Sequence, residues 1–584
     1  MLLARRHLEY TIFATIASFS LAALTPAANA QKLPPIQYTV SMPAPETHLA
    51  HIRARIPTDA KPYVDLMMAV WSPGYYVQEN YATHVQQFSA ATSDGRALAV
   101  EQPQPNRWRV KTDGASAITI SYTLVCDHRS VTGDWVDTTM AILNGPATYI
   151  TLAEHVKRPH DVALELPSRW HQSATSLAAA SDSIPNHYEA SSYDELADSP
   201  IIAGNISFHE FEVAGAKHYL ADIGDIPPQW DGALAAQNLR KFVTADSAFW
   251  GFLPFRKYVF LNVFRQGGGG LEHLNSTLLT SSPKATGGGD MRWLQYVSHE
   301  YFHAFNVKRL RPVQLGPFDY EHPPKTPSLW ISEGLTTYYG NLMVSRGGIG
   351  TQQDVLGALS KAITSVQNSP GRHVQTLEQA SLDIFSTGGS GIGGDRNSTV
   401  SYYDKGLIVG LLLDARIQHA TNGAKSLDDM MRLAYKRYGG AHGFTPQQWV
   451  ATASDVAGTD LTGFFHTLLQ TTDEMDYSEA LAWFGLRFAP SDNPATAWTL
   501  EIRPDATPQQ TARLDRLTQP PLRAAARAAV RAAVRAAVRT SRLPMQGMEV
   551  DRVSSAEPRP VQRRYKRHMS DCIGTGRDGD AVQK

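Results

Sequence analysis

Cysteine is nearly absent: the 584 residues contain Cys126 and Cys572 and no others. Two residues so far apart build neither a disulfide framework nor a cysteine metal site, so any metal must rest on histidine and carboxylate. An excess of one charge is also missing. Lys and Arg number 54 against 55 Asp and Glu, a formal charge of -1, so the chain as a whole has no electrostatic bias toward nucleic acid or an anionic membrane. Beyond the first 30 residues no apolar run is long enough for a membrane-spanning helix. The apolar fraction, 42%, is that of an ordinary globular protein with ample chain for a core in several domains.

The N-terminus is different in kind. Arg5, Arg6 and His7 precede an apolar run at 10–24, and Ala28-Asn29-Ala30 follows. A basic start, a short apolar core and an A-x-A site describe a secretory signal peptide over 1–30, cleaved before Gln31. About fifteen apolar residues are too few for a comfortable membrane anchor. The mature protein is therefore expected to be exported, to the bacterial periplasm or beyond, with no transmembrane anchor. Residues 31–215 are rich in short alternating or β-branched runs, at 36–56, 63–71 and 118–125, with Asp94-Gly95 and Asp113-Gly114 placed as turns. A β-sandwich or saddle-like sheet is expected there. The stretch 71–76 (W-S-P-G-Y-Y) reads as a turn with aromatic flanks used for packing.

From about residue 216 the pattern turns helical, and a mainly helical domain is expected over 216–490, giving an α+β chain. Its centre is S-H-E-Y-F-H-A-F-N at 298–306, an H-E-x-x-H motif. Residues four apart share one helix face, so His299 and His303 can offer two imidazole nitrogens to one ion. Glu300 can then reach a water on that ion, as a zinc hydrolase requires. Asp290 is placed to cap a helix over 291–307 with Leu294, Val297, Tyr301 and Phe305 as its core stripe. Glu333, in a second helical segment at 330–339, is the third ligand expected, leaving a coordination position for water. Before these lies a strand at 257–264 followed by Gly267 to Gly270 and then Glu272. The glycine run lacks phosphate-loop spacing, and by composition Glu272 reads as a solvated turn carboxylate beside a sheet edge. Helices are further expected at 233–250, 352–367, 407–419, 427–438 and 446–454, and a mobile glycine-rich loop at 388–394.

The segments S-H-E-Y-F-H-A-F-N-V-K-R-L-R-P (298–312), G-P-F-D-Y (316–320), W-I-S-E-G-L-T-T-Y-Y (330–339) and G-G-L-E-H (269–273) resemble the glycyl aminopeptidases. These are gluzincin zinc peptidases with a β-rich N-terminal domain, a thermolysin-like catalytic domain and, usually, a C-terminal PDZ domain. The resemblance implies one Zn²⁺ per chain and peptide substrates with a free N-terminus whose first residue is small, Gly or Ala. It implies that Glu272 binds the substrate α-amine and that the Gly269–Gly270 backbone pairs with the substrate. It also implies that Tyr403, in Y-Y-D-K-G at 402–406, stabilises the tetrahedral intermediate; by residue pattern alone, Tyr403 equally begins an apolar helix. Leu271 and His273 stand where the wider aminopeptidase group has methionine and asparagine.

The tail departs from the family. No PDZ pattern is found after 480, and from Arg523 a period-four R-A-A-V repeat drifts around any helix it forms. Residues 491–584 are expected to be a low-complexity, disordered tail. The leading reading is an exported zinc aminopeptidase with Glu300 as general base. The alternatives are a zinc endopeptidase of the same fold, and a catalytically idle peptide-binding protein.

Overall fold

The computed structural model describes residues 33–519, apart from 155, 283, 285–286, 387–394 and 494–496. The signal-peptide segment, the glycine-rich loop at 388–394 and the R-A-A-V repeat lie outside the described residues. Strand Leu49–Pro57 shows how the N-terminal region forms: Ala50, Ile52, Ala54 and Ile56 are buried while His51, Arg53 and Arg55 are exposed. Alternation of this kind gives a sheet one apolar face. That strand sits inside a seven-stranded sheet, between Ile36–Ser41 and Ala117–Val125. A four-stranded sheet containing Tyr63–Met67 and Arg107–Lys111 shares its core, with Trp108 stacked on Phe88 of the larger sheet at 5.1 Å between ring centres. The expected sandwich is present.

A separate, five-stranded sheet carries the catalytic half. Its order is Ser207–Val213, Ala216–Gly224, Lys257–Phe264, Ser276–Ser281 and, at the edge, Gly270–Glu272. The inner three strands are parallel and the edge strand runs antiparallel. The expected boundary at 215/216 cuts the hairpin between the first two strands. Ala214 and Gly215 both have positive φ, 50° and 78°, and form its tight turn. Residues 207–215 thus belong with the catalytic sheet.

Helix Gly232–Trp250, capped by the Asp231 side chain, crosses between parallel strands. The remaining helices pack on one large apolar core, including Gln352–Gln367, Tyr402–Ala420, Leu427–Tyr438 and Pro446–Ala457. Two further expectations need correction. The motif helix runs Met291–Phe302 and not to 307, because Asn306 leaves the helix to donate to Ile331 O (2.8 Å) and Thr336 Oγ1 (2.9 Å), and Val307 follows at φ 97°. The predicted tail begins folded: Leu500–Ile502 pairs with Leu486–Phe488, and helix Pro508–Thr518 buries Leu514 and Leu517. Thr507 and Gln510 form a capping box there, a local signal overlooked in reading 491–584 as disordered.

Candidate active site

The motif helix is fixed before its histidines are. Asp290 accepts from Trp293 N at 3.0 Å, the Trp293 indole donates to Ser281 Oγ at 3.0 Å, and the Tyr301 hydroxyl lies 3.1 Å from His218 Nε2. These contacts tie the helix to the catalytic sheet and set the direction of its opposite face. His303 closes the helix with φ −59° and ψ −23°, still helical, so His299 and His303 keep their one-turn spacing. Gly340 permits the next helix, Leu335–Arg346, to press against this one: a Cβ there would stand 3.0 Å from His299 Cα.

Glu333 lies in a wide π-type turn, Trp330–Gly334, that opens the Leu335–Arg346 helix. Such turns recur where a functional side chain must leave helical register. Gly334 crosses Gly406 so closely that a Cβ on the former would meet Gly406 Cα at 2.5 Å. The contact brings helix Tyr402–Ala420 alongside, and Tyr403, half-buried, has its ring 6.1 Å from that of His299.

His299 Nε2, His303 Nε2 and Glu333 Oε2 converge, at separations of 3.0, 3.5 and 3.2 Å. Ligands about 2.1 Å from a tetrahedral zinc stand about 3.4 Å from one another, so the three atoms fit one ion. The other ring nitrogens are engaged. His303 Nδ1 donates to Asn306 O at 3.0 Å; His299 Nδ1 faces Thr337 Oγ1 at 3.3 Å, whose hydroxyl donates to Glu333 O at 2.8 Å. With both Nδ1 atoms engaged, the two Nε2 atoms are the ones turned toward a shared cation. The charges say the same. Burial disfavours a charged His303, yet Glu333, Glu272 and Glu300 raise it to about 10; burial works against Glu333 too, yet His303 and His299 hold it at about 2. The cluster calls for positive charge.

Glu300 stands beside it, 6% exposed. Burial pushes its carboxyl up to about 8, against the pull of His303 and with Glu272 and Glu333 adding to the rise. Glu272, Glu300 and His303 bring one atom each within 4.8 Å of one another. The expectation of a solvated Glu272 fails: on the edge strand it is 3% exposed, with Oε1 lacking any partner. Gly270 is where the edge strand meets the base, since a Cβ there would fall 2.5 Å from Glu300 Oε1 and 2.7 Å from the Tyr296 hydroxyl. Gly269, at φ 101°, begins this approach.

Several residues of this wall were missed in the sequence. Gly74 (φ 102°) packs its backbone on the Glu272 carboxylate, where a Cβ would reach Oε1 at 2.5 Å, and the Tyr76 hydroxyl donates to Glu333 Oε1 at 3.5 Å. The turn at 71–76 does pack, with Trp71 fully buried, but it also borders the site. Asp198 accepts from Lys308 Nζ (2.9 Å), Leu274 N (2.6 Å) and His273 Nδ1 (3.1 Å), and Lys308 also reaches Pro73 O at 3.5 Å. The G-P-F-D-Y loop docks on the β-rich region through Tyr320, whose hydroxyl donates to Asp194 Oδ1 at 2.8 Å.

Residues 37–205 match the peptidase M61 N-terminal domain, and residues 292–409 match the M61 glycyl aminopeptidase domain. The chain thus carries both the N-terminal and the catalytic domain of the M61 glycyl aminopeptidases. It is a metallopeptidase of the aminopeptidase kind, with the thermolysin-like α+β architecture expected of this group. An aminopeptidase N family protein of Idiomarina loihiensis is similar at 25% identity and a TM-score of 0.72, over 77% of this chain and 78% of its own. Yeast LTA4 hydrolase bound to bestatin is similar at 13% identity and a TM-score of 0.47, over 77% of this chain and 69% of its own. A variant M1 zinc metallopeptidase of Deinococcus radiodurans, bound to a Tyr-Ser-Ala substrate, is similar at 11% and 0.48, over 76% and 95%. No curated protein matches this M61 chain.

Proposed function

We propose that this M61 peptidase is an exported zinc aminopeptidase that removes small first residues, Gly or Ala, from peptides with a free N-terminus. The observation that carries the reading is the pairing of two neighbouring groups: a three-atom cluster that fits a cation, and a buried glutamate with an idle oxygen beside the base. His299, His303 and Glu333 would hold one zinc ion, which, when bound, acidifies water and polarises a carbonyl.

The chain's own residues divide the remaining work. Glu272 accepts the substrate ammonium through its carboxylate, which places the first peptide bond over Glu300. The open side of the edge strand, at Gly269 and Gly270, pairs with the substrate backbone as an added strand. Glu300 takes a proton from the attacking water and returns it to the leaving amine; burial raises its carboxyl, which helps it hold the proton between the two transfers. Tyr403 donates its hydroxyl to the oxygen on which negative charge develops. Tyr76 and Tyr403, near Glu333 and His299, crowd the site and support a small first residue. Export rests on the N-terminal sequence; among the described residues no helix is long and apolar enough to cross a membrane.

Cleavage of a free-amine peptide against its N-acetylated form tests the reading, in a panel varied at the first residue. The expected result is cleavage of free-amine Gly and Ala peptides alone. Equal rates on both forms would replace the aminopeptidase with the endopeptidase. Absence of zinc from active protein would sink the metal assignment.

A further inference from the structure

Tyr296 precedes Glu300 by one turn of the motif helix, so the two side chains leave the same helix face. That face meets the edge strand at Gly270. The point that a Gly270 Cβ would occupy is 2.5 Å from Glu300 Oε1 and 2.7 Å from the Tyr296 hydroxyl. Both oxygens thus border one small gap, left open by the side chain that glycine lacks. Neither is satisfied. The Tyr296 hydroxyl is buried without a hydrogen-bond partner, and the Glu300 carboxylate accepts a hydrogen bond from no described residue. Thr280 N–H, the backbone group beside the phenol, is committed to Gly269 O at 3.0 Å. An idle donor therefore stands next to an idle acceptor.

A buried hydroxyl without an acceptor is a cost that the fold bears unless a working state satisfies it. The other two carboxylates of the site are turned elsewhere: Glu272 packs against Gly74, and Glu333 faces the two histidines. Burial, then the Glu300 charge, raises the phenol well above its usual pKa of 10, so at neutral pH it remains a donor. The base has a matching need. One carboxylate oxygen exchanges the proton, and a carboxylate that no donor holds can turn that oxygen away from the water. A hydrogen bond to the other oxygen fixes its direction, and such bonds to a charged acceptor are the strong ones. With no Cβ at Gly270, side-chain torsions alone can close the gap.

We propose that Tyr296 is a positioning residue for the base: its hydroxyl donates to Glu300 Oε1 in the substrate complex and leaves Oε2 to exchange the proton. Tyr296 keeps its own proton throughout, so the proton count of the reaction is unchanged. The pairing also gives a reason for glycine at 270, since any side chain there would part the two groups. The proposal rests on the reading that Glu300 is the base. The test is the steady-state kinetics of Tyr296→Phe on an alanyl peptide with a free N-terminus, alone and combined with Glu300→Gln. Phenylalanine keeps the ring and removes only the oxygen. The expected result is a fall in kcat of about tenfold to a hundredfold, with KM, zinc content and melting temperature unchanged. In the Glu300→Gln background the same change should cost no further rate, because the two residues act as a unit. A wild-type kcat in Tyr296→Phe, with Glu300→Gln inactive, would overturn the positioning role alone. So would a raised KM at unchanged kcat, which would put the hydroxyl on the substrate, or loss of zinc, which would assign it to the metal cluster. An equal loss in both backgrounds would make the hydroxyl independent of Glu300 and overturn the role as well. Full activity in Glu300→Gln would instead bring down the base reading beneath it.

Discussion

The two walls of the site are built on opposite principles. The wall of His299, His303 and Glu333 comes from two helices of one core, and its key spacing, four residues on one helix face, is local. The facing wall joins Pro73, Gly74, Asp198, Gly270, Glu272 and Lys308, from segments up to 235 positions apart that meet only in the folded chain. The first wall is set by helical periodicity. The second depends on close backbone approach, on glycines where no Cβ fits, and on one buried ion-pair network. The first should therefore tolerate changes that disable the second, and chemistry can be lost from either side without loss of the other.

The largest effect expected is on the base between the walls. Glu300→Gln removes the proton carrier and leaves the His299, His303 and Glu333 atoms in place. Activity should fall on the order of 10²–10⁴-fold, with metal content unchanged by elemental analysis. Unchanged activity would refute the mechanism. Gly270→Ala comes next. The added Cβ would sit 2.5 Å from Glu300 Oε1 and 2.7 Å from the Tyr296 hydroxyl, so the base must move. A displacement of about 1 Å costs about a hundredfold in rate. The metal content should again hold, and a normal rate in this variant would show that the two walls do not touch as described.

Asp198→Asn tests whether the second wall is held electrostatically. Asp198 is partly buried, which alone would raise its pKa, but Lys308 and His273 hold it at about 2, below the usual 3.8. A carboxylate depressed in the folded state stabilises above its ordinary pKa, and that contribution disappears as the pH falls from about 4 through about 2. The shift corresponds to about 2 kcal/mol at neutral pH. Loss of the charge also strands Lys308, 6% exposed, beside Pro73. The variant should therefore unfold more readily than wild type in denaturant at pH 7, and the gap should narrow toward pH 2. A gap independent of pH would remove Asp198 from this role.

The same contrast governs what the sequence discloses. His299, Glu300 and His303 are legible because a helix turns a spacing into a direction, and Asp290 marks where that helix starts. Glu333 is legible because it opens the next helical segment. Glu272 is misread by composition, since glycines followed by a carboxylate look like a solvated turn until the strand Ser276–Ser281 pairs with them. Tyr76 sits in an aromatic turn with no periodicity, and nothing local connects it to Glu333, 257 positions away. The Ala214-Gly215 turn and the Thr507 capping box, by contrast, are local signals, masked by stronger composition shifts around them.

The smallest expected effect is the one that links the walls. Tyr76 comes from the β-rich region, and its hydroxyl donates to Glu333 Oε1 at 3.5 Å, while Glu333 Oε2 faces the two histidines. It would thus orient the carboxylate without touching the ion. Outer partners of this kind are worth about ten- to a hundredfold in metal affinity, and a bond at the long limit of the range belongs at the bottom of that span. Tyr76→Phe removes the hydroxyl and keeps the ring against Phe385 at 6.1 Å, so packing is preserved. Zinc affinity, measured by competition with a chelator, should fall by no more than about tenfold, with the melting temperature of the metal-free protein unchanged. If affinity does not move, the β-rich region shapes the substrate groove alone and the cation cluster is self-sufficient within its two helices. If it moves while metal-free stability does not, the N-terminal region takes part in holding the ion, and the separation of the walls is incomplete at this one hydroxyl.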